Sequence, residues 1–529
     1  MQRNTSGQPT VRDAVVDLMR RLGMTSVFAN PGSTELPMFR DFPEDFRYVL
    51  GLQEAVVVGM ADGYAQATGN AALVNLHSAA GVGNAMGNIF TAFRNRTPLI
   101  ITAGQQARSI LPFDPFLSAS QATELPRPYV KWSIEPARAA DVPLALARAY
   151  HVAMQEPRGP VFVSIPVDDW DQPADLVEAT RVSTRFRPDP VSIAEIGDAL
   201  DNCKRPAIVV GAELDRADAW SEAIQLAERH NARVYVAPMS SRCSFPEDHR
   251  LFAGFLPAMR EKIVRILDGH DLIFVVGAPA FAYHVEGSGP HVPDGAALYQ
   301  LIDDPATAAW TPVGTSVVAN IRLGLADLLA RPAPQGRPLP APREIVERAE
   351  PTAVMSVAYA LQTLSEVRNA TDIVVEEAPS SRPVMQRYLP FTRSQTFYTM
   401  ASGGLGYGMP AAVGVALAKP GSRVIGLIGD GSTMYSPQAI YSAVRLDLPI
   451  TFVILNNSRY AALQEFAPVF GFAASDPVQG TDLPGLDFVS LANSMGCEGV
   501  RLSDALSLKP ALEDALSSGK TRVVEIVVA

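Results

Sequence analysis

Two short apolar runs near the C-terminus, 424–428 and 450–455, restrict the fold of this 529-residue chain more than any other feature. The first ends in Gly429-Asp430-Gly431-Ser432 and the second in Asn456-Asn457, with 24 residues between Gly431 and Asn456. Strand-length runs separated by a helix-length interval predict neighbouring parallel strands joined by a crossover. Asp430 and Asn457 then converge at the strand ends, beside a glycine turn open to an anion. A carboxylate and an amide placed there form an oxygen-ligand site suited to Mg²⁺ carrying a diphosphate. An ordinary strand–helix–strand unit accounts for the glycines as tight-turn residues. It gives no reason for the aspartate and the paired asparagines.

A chain of 529 residues exceeds one hydrophobic core and predicts about three domains. Segment 331–343 holds five prolines, which block helix and sheet ladders and predict a surface linker. A softer break lies at 171–190, closing on Pro188-Asp189-Pro190. The expected domains are 1–180, 190–330 and 350–529. Charged residues make up 19%, against roughly 25% in ordinary proteins, which suits a large assembly with buried subunit contacts. A net charge of -11 argues against nucleic acid or an anionic membrane as partner. Cys203, Cys243 and Cys497 lie far apart with no CxxC, so neither a disulfide framework nor a zinc site is indicated. Residues 1–10 are polar and lack the apolar core of a signal peptide, and no apolar stretch reaches membrane-spanning length. The expectation is a soluble, cytoplasmic protein.

The first and third domains share a pattern. Apolar residues 72–76 end at His77, a helix-like stretch follows, and Pro98 opens the next run. In the third domain Gly429 and Pro449 stand at matching places, so both units read as strand–helix–strand in a parallel sheet. The middle domain alternates in the same way, with strands expected at 207–210, 233–236 and 272–276. Neither Gly211 nor Gly277 belongs to a GxGxxG turn, so a bound dinucleotide is not supported there. The fold class is α/β, with three doubly wound parallel-sheet domains. Glu54 follows the expected strand at 48–50 and precedes the apolar stretch 55–58. That places its carboxylate at the head of a buried helix, where burial suits a proton-sharing role. A glutamate favoured by the helix macrodipole is the plainer explanation.

The spaced GDG and NN pairs resemble the diphosphate motif of thiamine diphosphate (ThDP) enzymes. Asn30-Pro31-Gly32-Ser33, the stretch Asp41 to Tyr48, Asn75-Leu76-His77-Ser78, Ala103-Gly104-Gln105-Gln106, Val130-Lys131-Trp132-Ser133, Gly277-Ala278-Pro279 with Phe281, Tyr283 and His284, and Gly403-Gly404-Leu405-Gly406 narrow this. Together they resemble the benzoylformate decarboxylases across all three expected domains. The resemblance implies non-oxidative decarboxylation of an aromatic or bulky 2-oxo acid to an aldehyde and CO₂, through a ThDP ylid and enamine. Its cofactors are ThDP and Mg²⁺, with Ca²⁺ an acceptable substitute. It also implies a homodimer at minimum and a homotetramer as the expected assembly, with two sites across a two-fold interface.

Carried over by position, Glu54 would bond the aminopyrimidine, Ser33 would bind the substrate carboxylate, and His77 and His284 would handle protons. Leu405 would be the apolar wedge that keeps the cofactor rings bent. Asp430, Asn457 and the Arg459 carbonyl would hold Mg²⁺. Asn30, Pro31, Gly32, Ser380, Gly403, Gly429, Gly431, Ser432 and Tyr460 would also contact the cofactor. Leu117, Leu463 and Phe466 would line the substrate pocket.

Each residue also has an ordinary explanation. Ser33 can stabilise a Pro-Gly turn, His77 and His284 can be satisfied structurally, and the three apolar residues can be core. The other five histidines carry no motif. Three departures from the family bear on the substrate side chain, one of them the loop Pro112-Phe113-Asp114-Pro115-Phe116 with its two phenylalanines and two prolines. Pro379 stands in a segment the family fills with Ser and Thr, and Thr399 stands where an aromatic residue is expected to pack on the substrate ring. A ThDP-dependent carboligase or acyloin lyase is the alternative activity, and a catalytically silent ThDP-fold protein is the third.

Overall fold

The computed structural model describes residues 8–529, so the first seven residues of the polar start lie outside the described residues. Among the described residues eighteen strands form three parallel sheets of six. The first contains β1 (Ser26–Asn30), β2 (Arg47–Leu50), β3 (Ala72–Leu76), β4 (Leu99–Gln105), β5 (Ser133–Ile134) and β6 (Val161–Pro166). The second contains β7 (Pro206–Val210), β8 (Arg233–Val236), β9 (Phe252–Phe255), β10 (Leu272–Val276), β11 (Ala297–Ile302) and β12 (Thr315–Val318). The third contains β13 (Ile373–Glu377), β14 (Phe397–Thr399), β15 (Val424–Gly429), β16 (Ile450–Asn456), β17 (Glu498–Leu502) and β18 (Arg522–Val527). Central strands such as β4 and β16 are buried along their whole length, as expected of parallel strands covered by helices on both faces.

The first sheet runs β2-β1-β3-β4-β6-β5 and the third β14-β13-β15-β16-β18-β17, which is one topology used twice. Strand order reverses between β1 and β3 in one and between β13 and β15 in the other. In doubly wound sheets, ligands bind outside the strand C-termini at such reversals. The middle sheet runs β12-β11-β10-β7-β8-β9 and reverses between β7 and β10. Arg96, from the first domain, enters its carboxyl edge and pairs with Glu213 at 2.8 Å, Asp303 at 3.1 Å and Asp304 at 2.9 Å. This buried ion cluster ties the two domains together.

The strand–helix–strand units differ in one respect from expectation. The helix after β3 is continuous over Ser78–Arg94, whereas the stretch after β15 splits into Asp430–Thr433 and Ala439–Arg445. Pro437 lies in the gap and lacks the N–H that a continuous helix needs. One apolar core runs from the first sheet into the third and includes both the helix Glu54–Thr68 and the helix Gly408–Ala418. Gly63 and Gly414 let these two helices meet backbone to backbone.

Segment 331–343 has no regular structure, but it is strapped down rather than loose. Arg337 donates to the carbonyls of Leu200, Asp201, Cys203 and His230. It also reaches the His230 ring at 3.1 Å. Burial, assisted by this guanidinium, pulls the His230 imidazole down to about 4. Among the described residues no helix is long and apolar enough to cross a membrane.

Candidate active site

The carboxyl edge of the third sheet holds a buried carboxylate that has no counter-ion among the described residues. β15 and β16 pair in parallel, with Gly429 opposite Leu455, which sets Asp430 beside the turn after Asn456. Asp430 is 5% exposed. One of its oxygens accepts the Gly431 N–H at 2.7 Å, and the other accepts those of Asn457 at 3.1 Å and Arg459 at 3.2 Å. The Asn457 side-chain oxygen accepts the same Arg459 N–H at 3.2 Å, so carboxylate and amide converge on one point. Burial pushes the Asp430 carboxyl up, and the backbone N–H bonds act against that. Among the described residues no cationic side chain pairs with it. Such a group is costly to bury alone and fits a cation, and carboxylate and amide oxygens are donors of the kind Mg²⁺ takes.

Its neighbours complete the edge. Asn456 is buried and donates to Glu525 at 2.7 Å, while Asn457 is half-buried at the edge. Gly431 and Ser432 are buried, and the Tyr460 ring lies directly on the Gly431 backbone. Gly403 is exposed, while Leu405 and Ser380 are half-buried. Leu405 packs against the shared core from its rim.

The first sheet builds a different edge. Asn30 ends β1, and Pro31 and Gly32 follow it half-buried. Gly32 lies so close to the His77 ring that a Cβ there would sit 2.2 Å from Nδ1, so only glycine fits. Ser33 is exposed beside them. His77 stands at the N-cap position of the helix Ser78–Arg94 without capping it through its side chain, and its Nδ1 meets a Glu35 oxygen at 2.8 Å. Glu35 has a fully buried side chain. It also accepts the N–H groups of Gly32 and Gly104, each at 2.8 Å, and the Thr34 hydroxyl at 2.7 Å. With Nδ1 donating to Glu35, Nε2 is the acceptor nitrogen of a neutral ring. Sequence reasoning missed Glu35. Its only signal was an acidic residue inside the turn that follows β1, two places beyond Ser33.

Glu54 is the first residue of its helix, where the Gln53 side chain caps the N–H groups of Ala55 and Val56 at 2.6 and 3.2 Å. It is half-buried rather than enclosed, and accepts from Asn84 at 3.2 Å. Leu50 and Leu52, just before this helix start, are 38% and 48% exposed. Met434 and Tyr435, just past the Gly429 turn, are similarly exposed at 43% and 53%. Each part of the site therefore carries bare apolar surface.

A third group joins the middle domain to the last. His284 stacks on Phe466 with ring centres 4.7 Å apart and planes 19° apart. Leu463, on the same short helix Ala461–Phe466, is exposed, and so is Leu117, whose carbonyl accepts the Ser78 hydroxyl at 2.8 Å. Neither leucine is core. No hydrogen bond or ring contact joins His77 to His284 among the described residues of the single chain. Thr399 departs from expectation: it is fully buried, and its hydroxyl bonds Glu376 at 2.9 Å and Arg382 at 2.5 Å. A hydroxyl beside a buried ion pair is held by it, so this side chain faces the protein interior.

Comparison with known proteins agrees with this geometry. Family patterns for the thiamine pyrophosphate enzymes match in three parts: the N-terminal TPP binding domain over residues 9–123, the central domain over 193–328 and the C-terminal TPP binding domain over 380–526. Benzoylformate decarboxylase of Pseudomonas aeruginosa is 44% identical over 525 residues, covering 98% of each chain. The crystal structure of benzoylformate decarboxylase from Polynucleobacter necessarius superposes with a TM-score of 0.95 at 41% identity, covering 98% of each chain. The thiamine diphosphate-dependent 4-hydroxybenzoylformate decarboxylase of Rhodococcus jostii RHA1 superposes with a TM-score of 0.94 at 38% identity, covering 98% of this chain and 99% of that one.

Proposed function

The chain belongs to the thiamine pyrophosphate enzymes, within the benzoylformate decarboxylase family, and from that premise we propose that it decarboxylates an aromatic 2-oxo acid to the aldehyde and CO₂. It is a ThDP-dependent carboxy-lyase. The observation that carries the reading is Asp430, a buried carboxylate lacking a cationic partner among the described residues, with Asn457 aimed at the same N–H. Bound at this edge, ThDP supplies an electron sink for the pair released when CO₂ leaves.

The protein's own groups divide the remaining work. Asp430, Asn457 and the Arg459 carbonyl would hold Mg²⁺, and Gly429, Gly431, Ser432 and Tyr460 would border the diphosphate. Glu54 bonds the aminopyrimidine, with Asn30, Pro31, Gly32, Ser380, Gly403 and Leu405 around the cofactor and Leu405 acting as its wedge. Ser33 donates its hydroxyl to the substrate carboxylate. His77, oriented through Nδ1 by Glu35, holds or moves a proton at Nε2. His284, stacked on Phe466, serves the other proton position. Leu117, Leu463 and Phe466 give an apolar lining suited to an aromatic side chain.

Exposed apolar residues flank both Glu54 and the Gly429 turn. This supports an assembly in which the Glu54 edge of one subunit covers the Asp430 edge of another, as a homodimer or a homotetramer of two such pairs. Domain limits at 180–190 and 330–350, a cytoplasmic location and Ca²⁺ as a substitute for Mg²⁺ belong to the same proposal.

The test is CO₂ and aldehyde release from purified protein with ThDP and Mg²⁺, comparing benzoylformate, 4-hydroxybenzoylformate, pyruvate and longer 2-oxo acids. Fast release from an aromatic acid is expected. Release from pyruvate alone would overturn the substrate class, and aldehyde ligation without CO₂ would replace the reaction.

A further inference from the structure

Glu377, the last residue of β13, borders the same reversal point and has no part in the account so far. It is 1% exposed and pairs with Ile428 across the sheet, two residues from Asp430. One oxygen accepts the Gly406 N–H at 2.7 Å and the other the Gly408 N–H at 2.5 Å. Leu405 immediately precedes Gly406, and Gly408 opens the helix Gly408–Ala418. The Gly406 carbonyl in turn accepts from Asn88 at 3.1 Å, so this residue is pinned from both sides. Burial pushes the Glu377 carboxyl up to about 7, neighbouring Glu376 adds to that, and the backbone N–H groups act against it.

A carboxylate at a helix N-terminus is ordinarily a cap. The Gly408 bond fits that explanation. The Gly406 bond does not, because it lies before the helix and holds the residue next to Leu405. Burying a carboxylate is costly, and a polar cap on the surface satisfies a helix end without that cost.

We propose that Glu377 is a positioning residue for the cofactor wedge: its carboxylate ties the 405–408 loop to β13 so that Leu405 stands at a fixed height beside the Gly429 turn. The inference rests on the wedge reading of Leu405 given above. It assigns Glu377 to the bent ring pair of ThDP and not to the diphosphate.

The decisive variant is Glu377→Gln in the full-length, cofactor-stripped protein. Glutamine keeps the size but turns an NH₂ toward one backbone N–H. Binding of ThDP and of inorganic pyrophosphate, each with Mg²⁺, is titrated side by side with the parent. Loss of one charge-assisted bond predicts ThDP binding weaker by about 10- to 100-fold. Pyrophosphate binding stays at the parent value, and kcat falls while KM for the 2-oxo acid holds. Leu405→Ala should show the same pattern. Equal weakening of both ligands, or no change in either, reduces Glu377 to a structural cap and overturns the inference. ThDP binding unchanged in Leu405→Ala overturns the wedge reading and the inference together. An impaired Leu405→Ala beside an unimpaired Glu377→Gln overturns the inference alone. If Glu377→Gln does not fold, Glu377→Asp, which keeps the charge but falls one methylene short, decides by the same selective loss.

Discussion

Directly after its third strand, the first sheet places His77, and at the same point the third sheet places Asp430. The two sheets share a strand order and a reversal point, so the backbone offers the same location twice. What differs is the local company. His77 leans on Glu35, whose four hydrogen-bond partners fix it in place, and an imidazole so oriented suits the proposed proton-handling role. Asp430 has backbone N–H groups only, and a carboxylate so placed invites a metal. A fold supplies a position; the neighbouring side chains decide its chemistry.

The strongest way to break this division is at Glu54, which stands on the proton-handling side. Glu54→Gln is expected to lower kcat by about 10³-fold or more, near the upper range for a lost proton-sharing group, with pyrophosphate binding retained. Full activity would remove Glu54 from the site. His77→Ala should cost about 10²–10³ in kcat with the fold intact by circular dichroism. An unchanged kcat would return the residue to a structural role. On the metal side, Asp430→Ala or removal of Mg²⁺ by chelation should abolish the rise in Tm that saturating ThDP gives. At a hundredfold excess over Kd that rise corresponds to about 2.7 kcal/mol. A ligand-induced shift that survives chelation would detach Asp430 from the metal.

A finer cut separates His77 from its support. Glu35→Gln leaves the imidazole present but misoriented, and about 10- to 100-fold loss in kcat with an altered pH profile is expected. Loss in KM alone would contradict a positioning role. The smallest effect belongs to the middle domain, which serves as the control. His230 is held at about 4 when folded, below its ordinary 6.5. The folded state therefore binds fewer protons than the unfolded state between those values. The stabilisation is complete above pH 6.5 and is lost as pH falls toward 4, by about 3 kcal/mol in all. Urea melts at pH 7 and 5 should diverge less in His230→Gln than in the parent, and equal divergence would exclude His230 as the cause.

Much of this architecture was readable before any coordinates. The runs ending at Gly429 and Asn456 are adjacent parallel strands because full burial on both faces demands unbroken apolar sequence. The duplicated unit was visible for the same reason. Its split second helix was not, since Pro437 marks a break without stating whether the helix bends or ends. At the site, the residues legible in sequence were those tied to strand ends and glycine turns. Glu35 and Glu377 escaped notice because they act through backbone N–H groups distant in sequence, at Gly104 and at Gly406 and Gly408. Thr399 was noted only as a departure from the family, and its burial beside Glu376 and Arg382 depends on partners 23 and 17 residues away. Glu54 was expected to be enclosed and is half-open in the single chain, where a second subunit would supply the missing cover.

That last point gives the most direct test of the division between the two edges. Inactive Glu54→Gln and Asp430→Ala proteins are mixed, unfolded partly to exchange subunits, and reassembled with ThDP and Mg²⁺. If one edge of each subunit completes the other's site, half of the randomly paired dimers carry one intact site of two, and about a quarter of the parent activity returns. Activity that stays at the sum of the two separate variants would show that both edges serve within one chain, contradicting the account.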